Sequence, residues 1–325
     1  MRHRSEVNQR QPHNQFNEVT MNTQKLFTLG TAIGLITLSL LSTACSSTNP
    51  SQATAANSTE QSSAQPFVLP LEGGSNFRDL GGYKTVDNKT VRSGVLFRSG
   101  AMVSLTAADQ AYLNERDFKT VVDLRSQEEL EIFPNQWALE NSNINYVNHV
   151  YSFPVAASKA MQKNAKEFGL GSFYLSIADM LQPQMKLYFS ELLQQNTPLV
   201  VNCSAGQDRT GFASALLLSA LGVPRDVIIE DYLLSTQHRD TANEFGDIDL
   251  KEAAKTNSFA KLMLRYTDNG KAKEAKPLVT NDGTPYINIA FAQIEEQYGS
   301  VENYLDKAIG VDQKAIARLK SLYLM

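Results

Sequence analysis

Two hydrophobic periods alternate along the chain. Pro198-Leu199-Val200-Val201 is a short apolar run rich in β-branched residues, which suits a strand covered on both faces. After ten polar or glycine-rich positions, Phe212 to Leu221 is nearly apolar all round, has helix-forming composition, and stops at Gly222 with Pro224 just beyond. Thr120 to Leu124 reads as an interior strand and Val91 to Phe97 as another. Thr106 caps a helix that begins at Ala107, and residues 155–196 read as mostly helical. Ile287 to Tyr298, Val301 to Ile309 and Gln313 to Tyr323 read as three further helices, with turns at Gly299 and Gly310. This succession predicts an α/β domain, a central mixed sheet flanked by helices. The polar segment from about Gln237 to Gly283 breaks the pattern, as a helical lid or insertion or as a solvated excursion. No internal repeat is visible.

The first 65 residues differ in kind. Lys25 precedes an apolar stretch from Leu26 to Leu41, too short for a comfortable membrane span, that runs into Leu41-Ser42-Thr43-Ala44-Cys45. This resembles a bacterial lipoprotein signal, in which Cys45 is lipidated after removal of residues 1–44; a plain cleaved secretory signal is the alternative. Met21 offers a second start, giving a leader of ordinary length. Residues 45–65 hold no large aliphatic or aromatic side chain and cannot bury enough area to fold. They read as a tether with a root-mean-square reach of about 25 Å. The expectation is therefore a domain at 66–325 held to the cell envelope by lipid, at the outer membrane if Ser46 sorts as in known lipoproteins.

Charge narrows the partners. The 325-residue chain has a formal net charge of −4, and removal of residues 1–44 takes away four basic and two acidic residues and leaves −6. A nucleic-acid partner is not suggested. Beyond the signal only His149 and His238 remain, without metal-ligand spacing, and Gly169-Leu170-Gly171 lacks the third glycine of a dinucleotide fingerprint. No metal and no cofactor are expected. Cys45 and Cys203 are the only cysteines. If lipid takes the first, Cys203 has no intramolecular partner and is exposed to oxidation.

The chemistry lies between strand and helix, in Asn202-Cys203-Ser204-Ala205-Gly206-Gln207-Asp208-Arg209-Thr210-Gly211. A helix N-terminus presents unpaired N–H groups and partial positive charge, so an anion belongs there. Gly206 and Gly211 are expected to let the backbone turn toward it, and Arg209 offers a planar fork of donors to two phosphate oxygens. A cysteine in that field is expected to react as a thiolate. A nucleotide P-loop shares the glycine spacing but requires Lys where Phe212 stands. An inert buried cysteine would leave Asp208 and Arg209 unexplained.

The loop resembles the C-x-x-x-x-x-R loop of cysteine-dependent phosphatases. It is most similar to that of bacterial tyrosine and phosphoinositide phosphatases, commonly H-C-x-x-G-K-D-R-T/A-G. Asn76-Phe77-Arg78-Asp79-Leu80-Gly81-Gly82-Tyr83, Val121-Val122-Asp123-Leu124-Arg125-Ser126 and Tyr298-Gly299-Ser300-Val301-Glu302-Asn303-Tyr304-Leu305 support the same family, from about residue 67 onward. The resemblance implies a cysteine-dependent phosphatase-like fold, Cys203 as nucleophile, and a phosphate cradle of Ser204, Ala205, Gly206, Gln207, Asp208 and Arg209. It makes Asp208 the proton donor to the leaving group, with Asp123 either second in that role or a structural hydrogen-bond organiser. Thr210 would donate to the sulfur or simply start the helix, and Arg78, Asp79 and Arg125 would position the loop or form buried networks. The partner would be a phosphotyrosyl protein or another phosphomonoester.

Two positions depart from that pattern. Asn202 replaces the usual His, whose loop support an amide could fill in part, and Gln207 replaces the usual Lys. The lost charge argues against multiply phosphorylated head groups and favours phosphotyrosine. A phosphoinositide phosphatase, or a phosphate-binding protein without turnover, stands as the alternative.

Overall fold

The computed structural model describes residues 67–152, 171–265, 267–268 and 271–325. The expected signal at 1–44, Cys45, the tether, and residues 155–170 of the expected helical stretch lie outside the described residues.

Five strands form the sheet: β1 (Arg78–Asp79), β2 (Leu96–Ser99), β3 (Thr120–Asp123), β4 (Asn145–Asn148) and β5 (Leu199–Asn202). Their order is β1-β2-β5-β3-β4, with β1 antiparallel to β2 and the remaining pairs parallel. Alternation along the strands sorts the core into two layers. Leu96, Val122, Leu199 and Val201 join the core of the helix Arg209–Leu221, whereas Phe97, Val121 and Val200 join Phe77, Phe118 and Trp137 on the other face. The second layer is largely aromatic, with Phe97 and Phe118 edge-on at 4.9 Å between centroids. Both faces of β5 are thus covered, as its apolar run requires.

Most expected elements form where the pattern puts them. The capped helix spans Ala107–Asn114, with Thr106 and Asp109 closing a reciprocal capping box. Helices occupy Gly171–Tyr174, Ile177–Met180 and Gln182–Leu193, then Tyr286–Tyr298, Val301–Tyr304 with a continuing turn to Ile309, and Gln313–Tyr323. The strand expected at Val91–Phe97 begins later, at Leu96. Asp79 accepts hydrogen bonds from the N–H groups of Gly81 (2.7 Å) and Gly94 (2.6 Å), and Gly94 has φ +80°, so the chain turns before the strand can start. The polar segment after His238 is built of short pieces: a 3-10 turn at Thr241–Glu244, helices at Leu250–Ala253 and Ser258–Met263, and a ribbon of Thr267–Asp268 with Lys271–Ala272. Leu250, Phe259 and Ala260 pack it against Phe133 and Ile132. Among the described residues no helix is long and apolar enough to cross a membrane.

Register brings the chemistry to one edge. Ser99, Asn202 and Asp123 lie side by side at the carboxyl ends of β2, β5 and β3, so the loops leaving these strands share the crevice where ligands of such sheets bind. Beneath it Asp231, 2% exposed, accepts from Arg78 (2.6 Å), Arg98 (2.5 Å) and the Tyr83 hydroxyl (2.9 Å). Burial acts to raise the Asp231 pKa, but the two guanidiniums outweigh it and hold the carboxyl below its usual range. Burial, aided by the charge of Arg98, instead pulls Arg78 down against the attraction of Asp231. One carboxylate gains from two cations, whereas each cation has only a share of one anion.

Asp231→Asn should cost about 3–5 kcal/mol at neutral pH, since it leaves two buried cations uncompensated. Denaturant unfolding measures this loss. The gap between native protein and variant should narrow as pH falls below about 4, because a depressed carboxyl contributes stability above its unfolded value and loses it on protonation.

Candidate active site

The loop from Cys203 to Arg209 is shaped by where its carbonyls go. In a trans peptide the C=O and the following N–H point in opposite directions. The Ser204 carbonyl accepts from the Ala101 N–H (2.8 Å), and the Gly206 carbonyl accepts from Arg98 Nη2 (2.8 Å) and Asn76 Nδ2 (2.7 Å). The Gln207 and Asp208 carbonyls accept from Gly211 and Phe212 as the helix begins. Each carbonyl tied outward turns the next N–H inward, which aims those of Ala205, Gln207, Asp208 and Arg209 at the centre of the loop. Among the described residues the backbone N–H groups of 204–208 donate to no protein acceptor. The result is an anion cradle at the N-terminus of a 13-residue helix.

Gly206 is indispensable to this shape. Its φ is +65°, and a Cβ there would lie 2.5 Å from the Gly100 nitrogen and 2.6 Å from the Ser99 carbonyl carbon. Gly211 serves differently from the expectation. It lies inside the helix, and its missing Cβ admits the Tyr232 ring, which a methyl would meet at 2.9 Å.

Arg209 closes the loop against Glu129. Its Nη1 and Nη2 donate to the two carboxylate oxygens at 2.7 and 2.6 Å, and Nη1 also meets the Tyr151 hydroxyl (2.9 Å) and the Leu124 carbonyl (3.2 Å). Glu129, fully buried, further accepts from the Ser204 hydroxyl and, at 2.8 Å, from the Ser126 N–H. A single carboxylate therefore holds both ends of the loop. Burial works against both charges, but each partner prevails, so Glu129 sits below the usual carboxylate range and Arg209 well above the ordinary arginine value. Cys203 follows β5 directly, is 2% exposed, and lies within electrostatic reach of Arg209, Tyr151 and Arg239.

The other expected residues divide. Asp208 lies half-buried at the helix start and accepts from the Tyr174 hydroxyl, which is itself 2.7 Å from that of Tyr232. Asp123 is occupied elsewhere: its oxygens take Arg125 Nε (2.9 Å), Arg125 Nη2 (2.6 Å) and the Tyr146 hydroxyl (3.0 Å). Asp123 and Arg125 thus form a buried structural pair, as Asp79 forms a buried turn. Arg78 positions the loop at one remove, donating to Asn76 Oδ1 (3.0 Å), whose amide holds the Gly206 carbonyl. The Thr210 hydroxyl donates to the Ser99 carbonyl at 3.4 Å. Asn202 does not give the loop support expected of it, since neither side-chain polar atom has a partner although the residue is fully buried. The Gln207 side chain accepts from Arg239 Nη1.

Glu129, Tyr174, Arg98 and Arg239 were not identified from the sequence. Only Glu129 carries a signal there, because Ser126-Gln127-Glu128-Glu129 has capping-box spacing directly after a strand. That pattern marks a helix start at the same sheet edge as the loop.

The chain belongs to the tyrosine phosphatase family, whose sequence profile matches residues 69–325. A protein of Cupriavidus necator assigned by name to the tyrosine-protein phosphatases is 30% identical over 260 residues, covering 77% of this chain and 86% of that one. The triple specificity protein phosphatase PtpB of Mycobacterium tuberculosis is 28% identical over 293 residues, 79% of this chain and 99% of the relative. Alignment to the crystal structure of P. aeruginosa TpbA covers 58% of this chain and 92% of that chain, at 19% identity and a TM-score of 0.26.

Glu129→Gln keeps the shape of the side chain but removes the charge that orients Arg209. It should lower kcat/KM for p-nitrophenyl phosphate by about a hundredfold, the scale of a misplaced catalytic group. Steady-state kinetics beside a thermal unfolding scan would separate this from loss of fold.

Proposed function

We propose that the protein hydrolyses phosphotyrosyl substrates through a cysteinyl-phosphate intermediate, with Cys203, Arg209 and Asp208 as its catalytic groups. The observation that carries this reading is the inward-facing cradle between Cys203 and Arg209, with Asp208 at its rim. Phosphate oxygens fit the N–H groups of the loop and the Arg209 fork. Cys203 Sγ, as thiolate, attacks phosphorus in line with the ester oxygen; the S–P bond forms as the P–O bond breaks, and the departing oxygen takes the Asp208 proton. Water then attacks phosphorus, Asp208 accepts its proton, and the S–P bond breaks to return the thiolate and inorganic phosphate. The loop donors act in both steps, where charge moves between sulfur and oxygen. Tyr174 holds the Asp208 carboxyl in place through the first oxygen and leaves the second for the leaving group.

The names of the relatives support tyrosine phosphatase activity, and the absence of Lys at position 207 favours a single phosphate over a phosphoinositide head group. The same reading makes the chain a lipoprotein of the bacterial envelope, with signal 1–44, lipid on Cys45, a tether at 45–65 and the catalytic domain at 66–325. Cys45→Ala should then move the protein from the membrane fraction to the soluble one.

In EDTA, native protein should release phosphate from p-nitrophenyl phosphate, and Cys203→Ser should reduce this to background. Well-folded native protein without hydrolysis from mildly acidic to neutral pH would favour phosphate binding without turnover. Faster phosphate release from a phosphoinositide than from a phosphotyrosyl peptide would overturn the substrate assignment.

A further inference from the structure

The loop lacks a cation at Gln207, yet a guanidinium stands beside that side chain. Arg239, 32 positions away, donates through Nη1 to Gln207 Oε1. Its Nε and Nη2 form a two-pronged pair with Glu244, both at 2.7 Å, and Glu244 is 3% exposed. This mounting parallels that of Arg209 on Glu129: a buried carboxylate fixes the plane of the fork. Of the five N–H donors of a guanidinium, three are engaged here, and the other two meet no acceptor among the described residues. The side chain is 16% exposed, and Asp208 and Cys203 lie within electrostatic reach of it.

Arg239 is fixed relative to the loop. The His238 carbonyl accepts from the Asn76 N–H (2.8 Å), the Asp240 N–H donates to Ser75 Oγ (3.0 Å), and Ser75 Oγ donates to Glu244 (3.3 Å). The same Ser75-Asn76 turn ties down Gly100 and Gly206. One turn therefore anchors both the cradle and the arginine at its mouth.

We propose that Arg239 is a substrate-binding residue: delivered from outside the loop, its guanidinium supplies the positive charge that position 207 lacks and donates to the phosphoryl oxygens of the phosphomonoester. This rests on the phosphatase reading of the site and adds a residue that the loop motif does not contain. Charge-assisted hydrogen bonds of this kind are about twice as strong as neutral ones, and their loss is worth about tenfold in binding.

Full-length native protein, Arg239→Gln, and Arg239→Gln combined with Gln207→Lys are compared by titration calorimetry with inorganic phosphate and by steady-state kinetics on p-nitrophenyl phosphate. Arg239→Gln should weaken phosphate binding and raise KM about tenfold while changing kcat much less. Gln207→Lys in that background should recover most of both losses. Unchanged phosphate affinity and KM in folded Arg239→Gln overturn the proposal, and so does a Gln207→Lys change that recovers nothing, since a purely structural Arg239 could not be replaced by a charge on the loop. Burial pushes the Glu244 carboxyl up, so in the variant it can accept a proton rather than remain as a bare charge. Should Arg239→Gln fail to fold, the double variant Arg239→Gln with Glu244→Gln carries the test. It removes both partners of the buried pair and leaves no uncompensated charge, and unchanged phosphate affinity there overturns the proposal. Phosphate binding is read without turnover, so a native protein that binds phosphate but hydrolyses nothing would remove the phosphatase reading and leave this comparison standing.

Discussion

The carbonyl of Gly206 is the point on which the catalytic loop turns. Two donors, Arg98 and Asn76, pull it away from the pocket, and the geometry of the peptide bond then commits the next N–H to the pocket. Behind these donors stand Arg78, which orients Asn76, and Asp231, which balances both arginines. Only glycine at 206 accepts the backbone angle and the closeness of β2. A set of buried charges that first looks costly thus has a mechanical purpose, holding a peptide in an orientation that no intraloop contact enforces.

Electrostatics around the cradle follow one scheme used twice. Arg209 and Arg239 each rest on a buried carboxylate that sets the direction of the fork while reducing the charge exposed to solvent. The arrangement costs desolvation on both partners, but a guanidinium so fixed loses little further freedom when an anion arrives. Asp208 stands in the same field and is held by a tyrosine whose own ring stacks on Tyr286, so the rim of the site is rooted in the core of the later helices.

The strand, loop and helix around Cys203 were legible because they depend on local pattern: β-branched residues, a glycine-rich polar break, an apolar helix closed by Gly222. The nucleophile and its arginine sit in one such local unit. Glu129 was legible in part, through its capping spacing. Arg239 and Tyr174 were not, because each reaches the loop from an element whose own pattern says nothing about what it faces. Asp123 was ambiguous for the same reason, since its strand-end position suggests the pocket as readily as a structural role, and its partner Arg125, two residues on, decides for the structural one. Asn202 carried the expectation of a supporting hydrogen bond, and only the packing around it shows that none forms.

Arg78 and Asp231 are separated by 153 positions, yet the shape of a seven-residue loop between them depends on their meeting. A contact of such long range carries the entropic cost of closing a long loop, and the sheet that pairs β2 with β5 already brings these distant segments together. The reactivity of the loop therefore rests on side chains that carry no chemistry of their own, and a change at Arg78 or Asp231 reaches the anion site without touching the loop.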